Sequence, residues 1–268
     1  MEYRRAGPGG AIGKEPRFTV LSKAKPQPRP SNLAVMKPAA LACLLGLAVA
    51  ATAVNGQTPE RPRVFLLVVD DLHLDFRNTP RLRKILQDLA RQGHEGDTWS
   101  LVTTGISSIR VAPAPGLAEI RTAISRLTGN ALNVREQLDA FGNAERGAVI
   151  RRRASTIDIA IADTISHLAE DNQGRLAILF LTNGYDARMV PALSETVRAT
   201  AEARARLVAI SVRDLLVPDP PFDVRPEEWA AYTEAARESL RTLAEQTGGQ
   251  AVFSQPDFDT AIAGLLRP

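Results

Sequence analysis

The sequence predicts an α/β domain with a doubly wound, mostly parallel sheet of about six strands and helices on both faces. Two apolar runs, Val64 to Val69 and Ala177 to Leu181, carry this prediction. A strand buried on both faces of a parallel sheet reads as a continuous apolar run, whereas a half-buried strand alternates. Segments with helical spacing lie between the predicted strands, and this alternation favours one sheet covered on both sides. The predicted domain spans residues 61–268.

In the first half of the domain, the element pattern is strand, helix, two strands, helix. The predicted bounds are a strand at 64–69, a helix at 80–93, strands at 99–104 and 109–112, and a helix at 117–129. The first helix begins at a proline and ends at a glycine, which are typical helix boundaries. Residues 130–153 are polar and contain glycine, so we expect a loop there with one helical turn.

In the second half, helices and strands alternate regularly. The predicted elements are a helix at 156–171, a strand at 176–181, a helix at 191–205, a strand at 207–212, a proline-rich loop at 217–226, a helix at 227–247, a strand at 251–254 and a terminal helix. The helix that begins at Thr156 places four apolar residues, at 157, 161, 165 and 168, on one face. A parallel connection in one sheet needs such crossover helices.

Charge is distributed unevenly along the chain. The 268 residues carry a formal net charge of +3. Residues 1–56 hold eight basic and two acidic side chains, so the remainder holds 25 basic and 28 acidic ones, a net charge of −3. A domain with that balance lacks the basic surface that binds a phosphate backbone. We therefore expect no nucleic-acid partner.

The amino-terminal segment predicts export. Residues 1–35 are rich in proline, glycine and basic side chains and are predicted to be disordered or untranslated, with Met36 as the true start. Residues 36–56 have a short basic start, an apolar stretch and small residues at Ala51 to Ala53, which is typical of a cleaved signal peptide. The apolar stretch is shorter than the ~20 residues of a spanning helix, so we expect no membrane span in the mature periplasmic or extracellular chain. A retained anchor is the alternative.

Polar residues follow both apolar runs directly. Asp70 and Asp71 come after the first run, and Thr182 to Asp186 come after the second. Open α/β sheets bind their ligands in the crevice outside the carboxyl ends of the strands. The sequence therefore predicts a site where these two strand ends become neighbours.

Several motifs resemble the von Willebrand factor A fold. Their order along the chain is similar to that of an exported bacterial branch, the VWFA-related acidobacterial domain proteins. The segments that carry the resemblance are Asp70-Asp71, Gly96 to Val102, Thr156 at a helix start, Ile178 to Gly184 and Leu243 to Gly249. The resemblance covers residues 63–266, nearly the whole predicted domain.

The resemblance implies a protein-binding module with a metal-ion-dependent adhesion site. In that family an Asp-x-Ser-x-Ser loop, a Thr and a later Asp hold Mg²⁺ and leave a position for a partner's carboxylate. Here Asp70 and Thr156 occupy two of those places, so they are the implied metal ligands. Leu72 and Leu74 stand where the hydroxyls belong, and Asn183 replaces the last Asp. We therefore expect no bound cofactor; Mg²⁺ or another divalent metal at this degenerate site is the alternative.

We predict a binding module and no enzyme activity, with a protein or a cell-envelope component as the partner. The predicted contact residues are Asp70, Asp71, His73, Asp75, Thr156, Asn183, Tyr185 and Asp186. Arg151 to Arg153 are predicted to form a positive rim. A purely structural reading stays open, in which the acidic residues cap the next helix and the arginines face solvent.

Two other functions are the alternatives. A secreted hydrolase needs a nucleophile, but Ser107 and Ser108 lack the Gly-x-Ser-x-Gly pattern. A receiver-like phosphoacceptor domain also begins with a strand and an acidic pair. It further needs an Asp after the third strand and a Lys after the fifth, whereas residues 109–117 contain no Asp and no lysine follows Lys84.

Overall fold

The computed structural model describes residues 63–92, 96–105, 107–140, 143–185, 193–216 and 222–266. The predicted extension at 1–35, the predicted signal peptide at 36–56 and Asp186 lie outside the described residues. The described residues form a six-stranded sheet with helices on both faces, which confirms the predicted fold class. The strands are β1 (Val64–Val69), β2 (Thr98–Thr103), β3 (Arg110–Pro115), β4 (Leu176–Thr182), β5 (Arg206–Ser211) and β6 (Gln250–Val252).

The order of the strands across the sheet is β3-β2-β1-β4-β5-β6, and all pairs are parallel except β2 with β3. β1 lies between β2 and β4, so the sheet is wound outward from β1 in both directions. Val69 at the end of β1 faces Leu181 near the end of β4. The predicted neighbourhood of these two strand ends is therefore confirmed, and it lies at the switch point of the sheet.

The helices form two layers. They are α1 (Thr79–Gln92), α2 (Ala118–Arg126), α3 (Val134–Asp139), α4 (Ala144–Asn172), α5 (Ser194–Glu202), α6 (Val212–Leu216), α7 (Pro226–Thr247) and α8 (Gln255–Leu266). Apolar residues of α1, α2 and α8 pack on one face of the sheet, and those of α4, α5 and α7 pack on the other. No helix within the described residues combines the length and apolar character needed to cross a bilayer.

β1 explains why the sequence pattern is so strong. Phe65, Leu67 and Val69 belong to one core, and the alternate residues Val64, Leu66 and Val68 belong to the other. Both sets are buried because helices cover both faces. Burying an aliphatic side chain stabilises the fold by about 1.5–3 kcal/mol, so every position of the strand favours an apolar residue.

The structure corrects the interpretation of residues 130–153. The expected loop contains α3 and the first turns of α4, and the helix expected to start at Thr156 begins at Ala144. Two asparagine caps account for this difference. Oδ1 of Asn133 accepts a hydrogen bond from the backbone of Arg135 at 2.8 Å, and Oδ1 of Asn143 accepts one from Arg146 at 3.0 Å. Each cap satisfies a backbone N–H that is otherwise unpaired at a helix start.

The strand beside β2 extends further than predicted. β3 is antiparallel and continues from Arg110 to Pro115, past the predicted end at Ala112. Pro113 and Pro115 have no backbone N–H to donate, so they suit a strand at the edge of a sheet. The sequence of β3 therefore fits its position in the strand order.

Candidate functional site

Asp70 directly follows β1, and its side chain is completely buried. Oδ1 accepts hydrogen bonds from the backbone N–H of His73 at 3.2 Å and from the hydroxyl of Thr104 at 3.1 Å. Oδ2 accepts one from the hydroxyl of Thr182 at 2.6 Å and lies 2.9 Å from Nδ1 of His73. Both carboxylate oxygens are thus occupied by groups of the protein, which come from the ends of β1, β2 and β4.

These contacts keep Asp70 ionised. Burial alone would raise its pKa. This effect is outweighed by the charge and hydrogen bond of His73 and by the hydrogen bonds from the hydroxyls of Thr182 and Thr104, which all lower the pKa. The net effect is a pKa below the ordinary value of aspartate. The hydroxyl of Thr182 also accepts a hydrogen bond from the backbone of Gly184 at 3.0 Å, so Asp70 indirectly fixes the turn after β4.

His73 connects Asp70 to a cavity. The imidazole is buried, and its centroid lies 6.0 Å from that of the Tyr185 ring. Since Nδ1 is held by Asp70, Nε2 is the ring nitrogen that His73 can offer to a ligand. A buried carboxylate that orients an imidazole in this way also fixes which ring nitrogen faces outward.

Asp71 has a different environment from Asp70. Its Oδ2 accepts a hydrogen bond from the backbone of Ser107 at 2.8 Å, and its backbone carbonyl accepts one from Asn130 at 2.7 Å. Oδ1 is buried without a hydrogen-bond partner. Burial raises the pKa of this carboxyl above the ordinary value, and the N–H of Ser107 offsets only part of that increase. Asp71 therefore anchors the two loops that contain Ser107 and Asn130.

The residues at the implied Mg²⁺ site do not fit that ion. Leu74 is buried in the core, and Leu72 packs against the opposite core, so neither supplies an oxygen. Thr156 is exposed about three turns inside α4, and its hydroxyl donates to the carbonyl of Arg152 at 2.9 Å. Both oxygens of Asp70 already accept hydrogen bonds. Among the described residues there is no group of three His, Cys, Asp or Glu side chains that could hold a metal.

A cavity of about 280 Å³ lies at the carboxyl end of the sheet. The loop after β1 contributes His73 and Asp75, the turn after β4 contributes Asn183, and α6 contributes Arg213. Trp229 and Tyr232 from α7 complete one wall. Of the predicted contact residues, the structure thus brings His73, Asp75 and Asn183 together around one cavity.

Arg213 is the most unusual residue of this cavity because it is a cation that is only 4% exposed. Its guanidinium carbon lies 5.6 Å from the ring centroid of Trp229 and 5.0 Å from that of Tyr232. Aromatic faces attract a cation through their quadrupoles. Nη2 donates a hydrogen bond to the backbone carbonyl of Asn183, whereas Nη1 is buried and finds no hydrogen-bond partner among the described residues.

Asn183 places a second unsatisfied atom beside Arg213. The residue is 7% exposed, and Oδ1 is buried with no hydrogen-bond partner in the part of the chain that the structure describes. Leaving a buried polar atom unpaired costs about 1–3 kcal/mol. Tyr232, which stacks near Arg213, donates its hydroxyl to Oε1 of Gln137 at 3.0 Å and is thereby held in place. Two residues that line the cavity, Arg213 and Asn183, therefore each hold a buried polar atom that lacks a partner among the described residues.

Two predicted contact residues have structural roles in this fold. Oδ1 of Asp75 accepts a hydrogen bond from the backbone of Arg77 at 2.9 Å and caps a short 3-10 helix, as the structural reading expected. Tyr185 is buried, and its pKa is raised by burial and by the nearby Asp70 and Asp158 carboxylates. Contact of Asp75 and Tyr185 with a partner stays a prediction.

The predicted arginine rim lies along α4. Arg151 and Arg152 are exposed. Arg153 is half-buried, and its Nη1 lies within hydrogen-bond distance of the carbonyls of Leu72 (3.4 Å) and Asn130 (3.2 Å). Arg153 therefore ties α4 to the loop after β1, while its two neighbours face solvent.

Sequence reasoning missed Arg213 and did not assign Trp229 and Tyr232 to the site. In the sequence, these two aromatic residues indicate only a packed helix edge, because residues three apart share one face of a helix. One signal was available, since Arg213 follows the end of β5 as closely as Asp71 follows the end of β1. A basic residue at the carboxyl end of a buried strand lies where such sheets bind ligands.

Fold and site together define a class: an α/β domain with a six-stranded, mostly parallel sheet and a polar cavity at its switch point. No family model matches this chain, and no curated protein matches it.

Proposed function

We propose that this chain is an exported binding module of the von Willebrand factor A type that captures a protein or a cell-envelope component without a metal. The contact surface is the carboxyl-terminal edge of the sheet around His73, Asn183 and Arg213. One observation carries the proposal: two residues that line the cavity at the switch point each have a buried polar atom, Nη1 of Arg213 and Oδ1 of Asn183, with no partner among the described residues. Such atoms acquire hydrogen bonds when a ligand enters, which favours binding there.

Independence from metal follows from the surroundings of Asp70. A carboxylate binds a divalent ion through free oxygen lone pairs, and those of Asp70 accept hydrogen bonds from His73, Thr104 and Thr182. Mg²⁺ also demands near-octahedral oxygen ligands, which Leu72 and Leu74 do not supply. In this proposal Asp70 orients His73 and the strand ends, and other side chains contact the partner.

Affinity capture tests the proposal. The immobilised full chain is exposed to an extract of the envelope of its own cells, with a chelator and with Mg²⁺. We expect the same partner in both conditions. The substitution Arg77→Glu, at the rim of the cavity, should lower capture by a factor of about ten or more. Arg206→Glu, an equivalent charge reversal at the opposite end of the sheet, is the matched control. Equal loss in both variants, or capture only with Mg²⁺, contradicts the proposal.

Export is tested separately from binding. The chain recovered from the periplasm or from the medium should begin close to Ala53, where small residues offer a cleavage site. Amino-terminal sequencing measures this directly. A recovered chain that retains residues 36–50 contradicts cleavage and favours the retained anchor.

Hydrolysis is the second candidate function, and one observation favours it. The His73 imidazole, held by a buried carboxylate and lining a cavity, has the arrangement of a general base that activates water. The described lining of the cavity contains no serine, threonine or cysteine, so a covalent nucleophile is not offered there. His73→Gln separates the two functions: if turnover of an envelope substrate disappears while capture persists, the protein is a hydrolase.

A further inference from the structure

The residues around Arg213 indicate what kind of partner enters the cavity. We infer that the cavity binds one acidic residue of an extended peptide segment of the partner, with its carboxylate on Arg213 and its backbone N–H on Asn183. An apolar neighbour of that acidic residue lies against Phe76 and Phe222. This inference rests on the proposed function, because it specifies the ligand of the same surface.

The surroundings of Arg213 favour an anionic ligand. The aromatic rings of Trp229 and Tyr232 flank its guanidinium, and the Asn183 carbonyl accepts from Nη2, but Nη1 has no acceptor within the described parts of the chain. A guanidinium carries only donors, so the missing partner must be an acceptor. A charged acceptor makes a stronger hydrogen bond than a neutral one and also compensates a cation that is withdrawn from water.

Asn183 distinguishes a peptide from a simple anion. Its unpaired Oδ1 needs a donor, and its backbone carbonyl already binds the arginine that needs an acceptor. An acidic residue in a peptide supplies both groups, since the side chain carries a carboxylate and the backbone carries an N–H. A phosphate ion is dominated by acceptors and leaves the amide oxygen poorly satisfied.

The cavity is slightly smaller than those that enclose a whole small ligand, and it is large enough to admit an acidic side chain. Its volume of about 280 Å³ lies at the lower limit of the roughly 300–1,000 Å³ that enclose a whole small ligand. A glutamate or aspartate side chain enters such a space while the rest of the segment stays outside. The remaining contacts must then come from the surface around the mouth of the cavity.

Two aromatic side chains are exposed at that mouth. Phe76 is 69% exposed and Phe222 is fully exposed, and both line a shallow depression that shares Leu132 and Val134 with the cavity. Large apolar side chains grouped on a surface mark contact sites. An apolar residue next to the acidic one covers them at the same time.

The charge of the lining agrees with an acidic partner. Among the described residues of the lining, Arg77, Arg81 and Arg213 face one carboxylate, that of Asp75. The domain as a whole is slightly acidic, so this positive cluster is a local property. A cluster of one sign in a concave surface attracts ligands of the opposite sign.

The natural fluorescence of the chain offers a readout. The sequence contains two tryptophans; Trp99 is buried in the core and stacked on Phe65, whereas Trp229 lines the cavity. The full chain is titrated with capped tripeptides that carry a central Glu between Phe or Leu residues. Matched peptides with a central Gln, free glutamate and inorganic phosphate are the other arms.

We expect saturable quenching by the Glu peptides, with affinities at least about tenfold higher than for the Gln peptides. Equal binding of Glu and Gln peptides, or no response to any Glu peptide, overturns the inference. Phosphate that binds as tightly as the Glu peptides makes this a general anion site, and free glutamate that does so makes it an amino-acid site. Either result also overturns the inference.

Variants locate the binding. Arg213→Met removes the charge but keeps an apolar stem between the two rings, and we expect it to lose the preference for Glu over Gln. Since Arg213 is buried and its loss can unfold the chain, Phe222→Ala is the second variant. Phe222→Ala should lower the affinity for Glu peptides with apolar neighbours and leave the affinity for a Gly-Glu-Gly peptide unchanged. Arg206→Gln, the control, should change neither affinity. Unaltered peptide binding in Phe222→Ala overturns the placement of the apolar neighbour.

Competition separates this inference from the proposed function. If a Glu peptide displaces the captured envelope partner, both the proposed function and the acidic-residue inference are supported. If capture is lost in Arg77→Glu but is unaffected by saturating Glu peptide, the binding surface stands and the acidic-residue inference fails.

Discussion

Nδ1 of His73 lies 2.9 Å from Oδ2 of Asp70, and both side chains are buried where β1 ends. The same carboxylate accepts the hydroxyls of Thr104 after β2 and Thr182 at the end of β4. One side chain therefore joins three strand ends and orients the imidazole that faces the cavity. The carboxyl edge of the sheet is organised around this single acid.

Asp70→Asn should lower the free energy of unfolding by about 3 kcal/mol at neutral pH. The amide removes the charge that His73 contacts, and its NH₂ group faces donors where the carboxylate accepted. Urea unfolding measures the change. Asp75→Asn is the matched control, since the Asp75 pair with Arg77 is largely exposed, and its cost should stay below about 1 kcal/mol. Equal effects of the two substitutions would show that Asp70 has no special role.

Acid should remove this contribution of Asp70. Because its pKa is lower in the folded chain than in the unfolded chain, its stabilisation is present above the ordinary pKa of aspartate and is lost as the pH falls through the lower folded value. The difference in unfolding free energy between wild type and Asp70→Asn should therefore shrink only in strongly acidic solution. A difference that already vanishes near pH 6 contradicts the direction of this shift.

Asp71→Asn should have the opposite effect on stability to Asp70→Asn. It should raise the free energy of unfolding at neutral pH by roughly 1 kcal/mol. Burial raises the pKa of Asp71, so its charged form destabilises the folded chain once the pH exceeds the ordinary value. The asparagine oxygen still accepts from the backbone of Ser107. The gain should disappear as the pH falls below the ordinary pKa, where wild-type Asp71 is protonated in both states. Destabilisation at neutral pH would refute this assignment.

Gly184→Ala should cost about 3 kcal/mol or more. Gly184 has a φ of 71°, which strains any residue with a Cβ, and an added Cβ would lie 2.6 Å from the carbonyl oxygen of Ala236 in α7. Gly174 is the matched control because its φ is 75° but its surroundings are open. Gly174→Ala should cost only about 1–2 kcal/mol. Similar costs, measured by urea unfolding, would show that α7 yields at this contact.

Mg²⁺ should leave the stability of the chain unchanged. A site of micromolar affinity would raise the free energy of unfolding by about 4 kcal/mol at an ion concentration about a thousand times its dissociation constant. We expect a change below about 0.5 kcal/mol, because the oxygens of Asp70 are occupied and Thr156 lies on the exposed face of α4. Sodium chloride at equal ionic strength is the control. A rise with Mg²⁺ alone, or stoichiometric heat in a calorimetric titration, contradicts this prediction.

The sheet was predictable because its central strands are buried on both faces. Val64 to Val69 and Leu176 to Leu181 read as unbroken apolar runs for that reason. The amino-terminal part of α4 was missed because its exposed face is strongly basic and only Gly147, Ile150 and Ala154 are buried there. An asparagine at position 143 is a typical helix N-cap and indicates a helix start there, but the polar composition of the segment favours a loop.

The site was predictable in position but not in its chemistry. The ends of β1 and β4 were expected to form it, and His73 and Asn183 do line one cavity. The role of Arg213 depends on Trp229 and Tyr232, which approach it only because α7 folds back across the end of β5. A contact between distant segments has no periodic signature, so no reading of residues 207–216 alone could reveal it.

The two borders of the sheet constrain how this protein can associate. Pro113 and Pro115 interrupt the donor row of β3, and on the far side β6 is only three residues long. Neither border is a good template for an incoming chain, so fibre-like growth through added strands is disfavoured. Recognition is thereby directed away from the sides of the sheet, and a high local concentration need not turn the domain into its own partner.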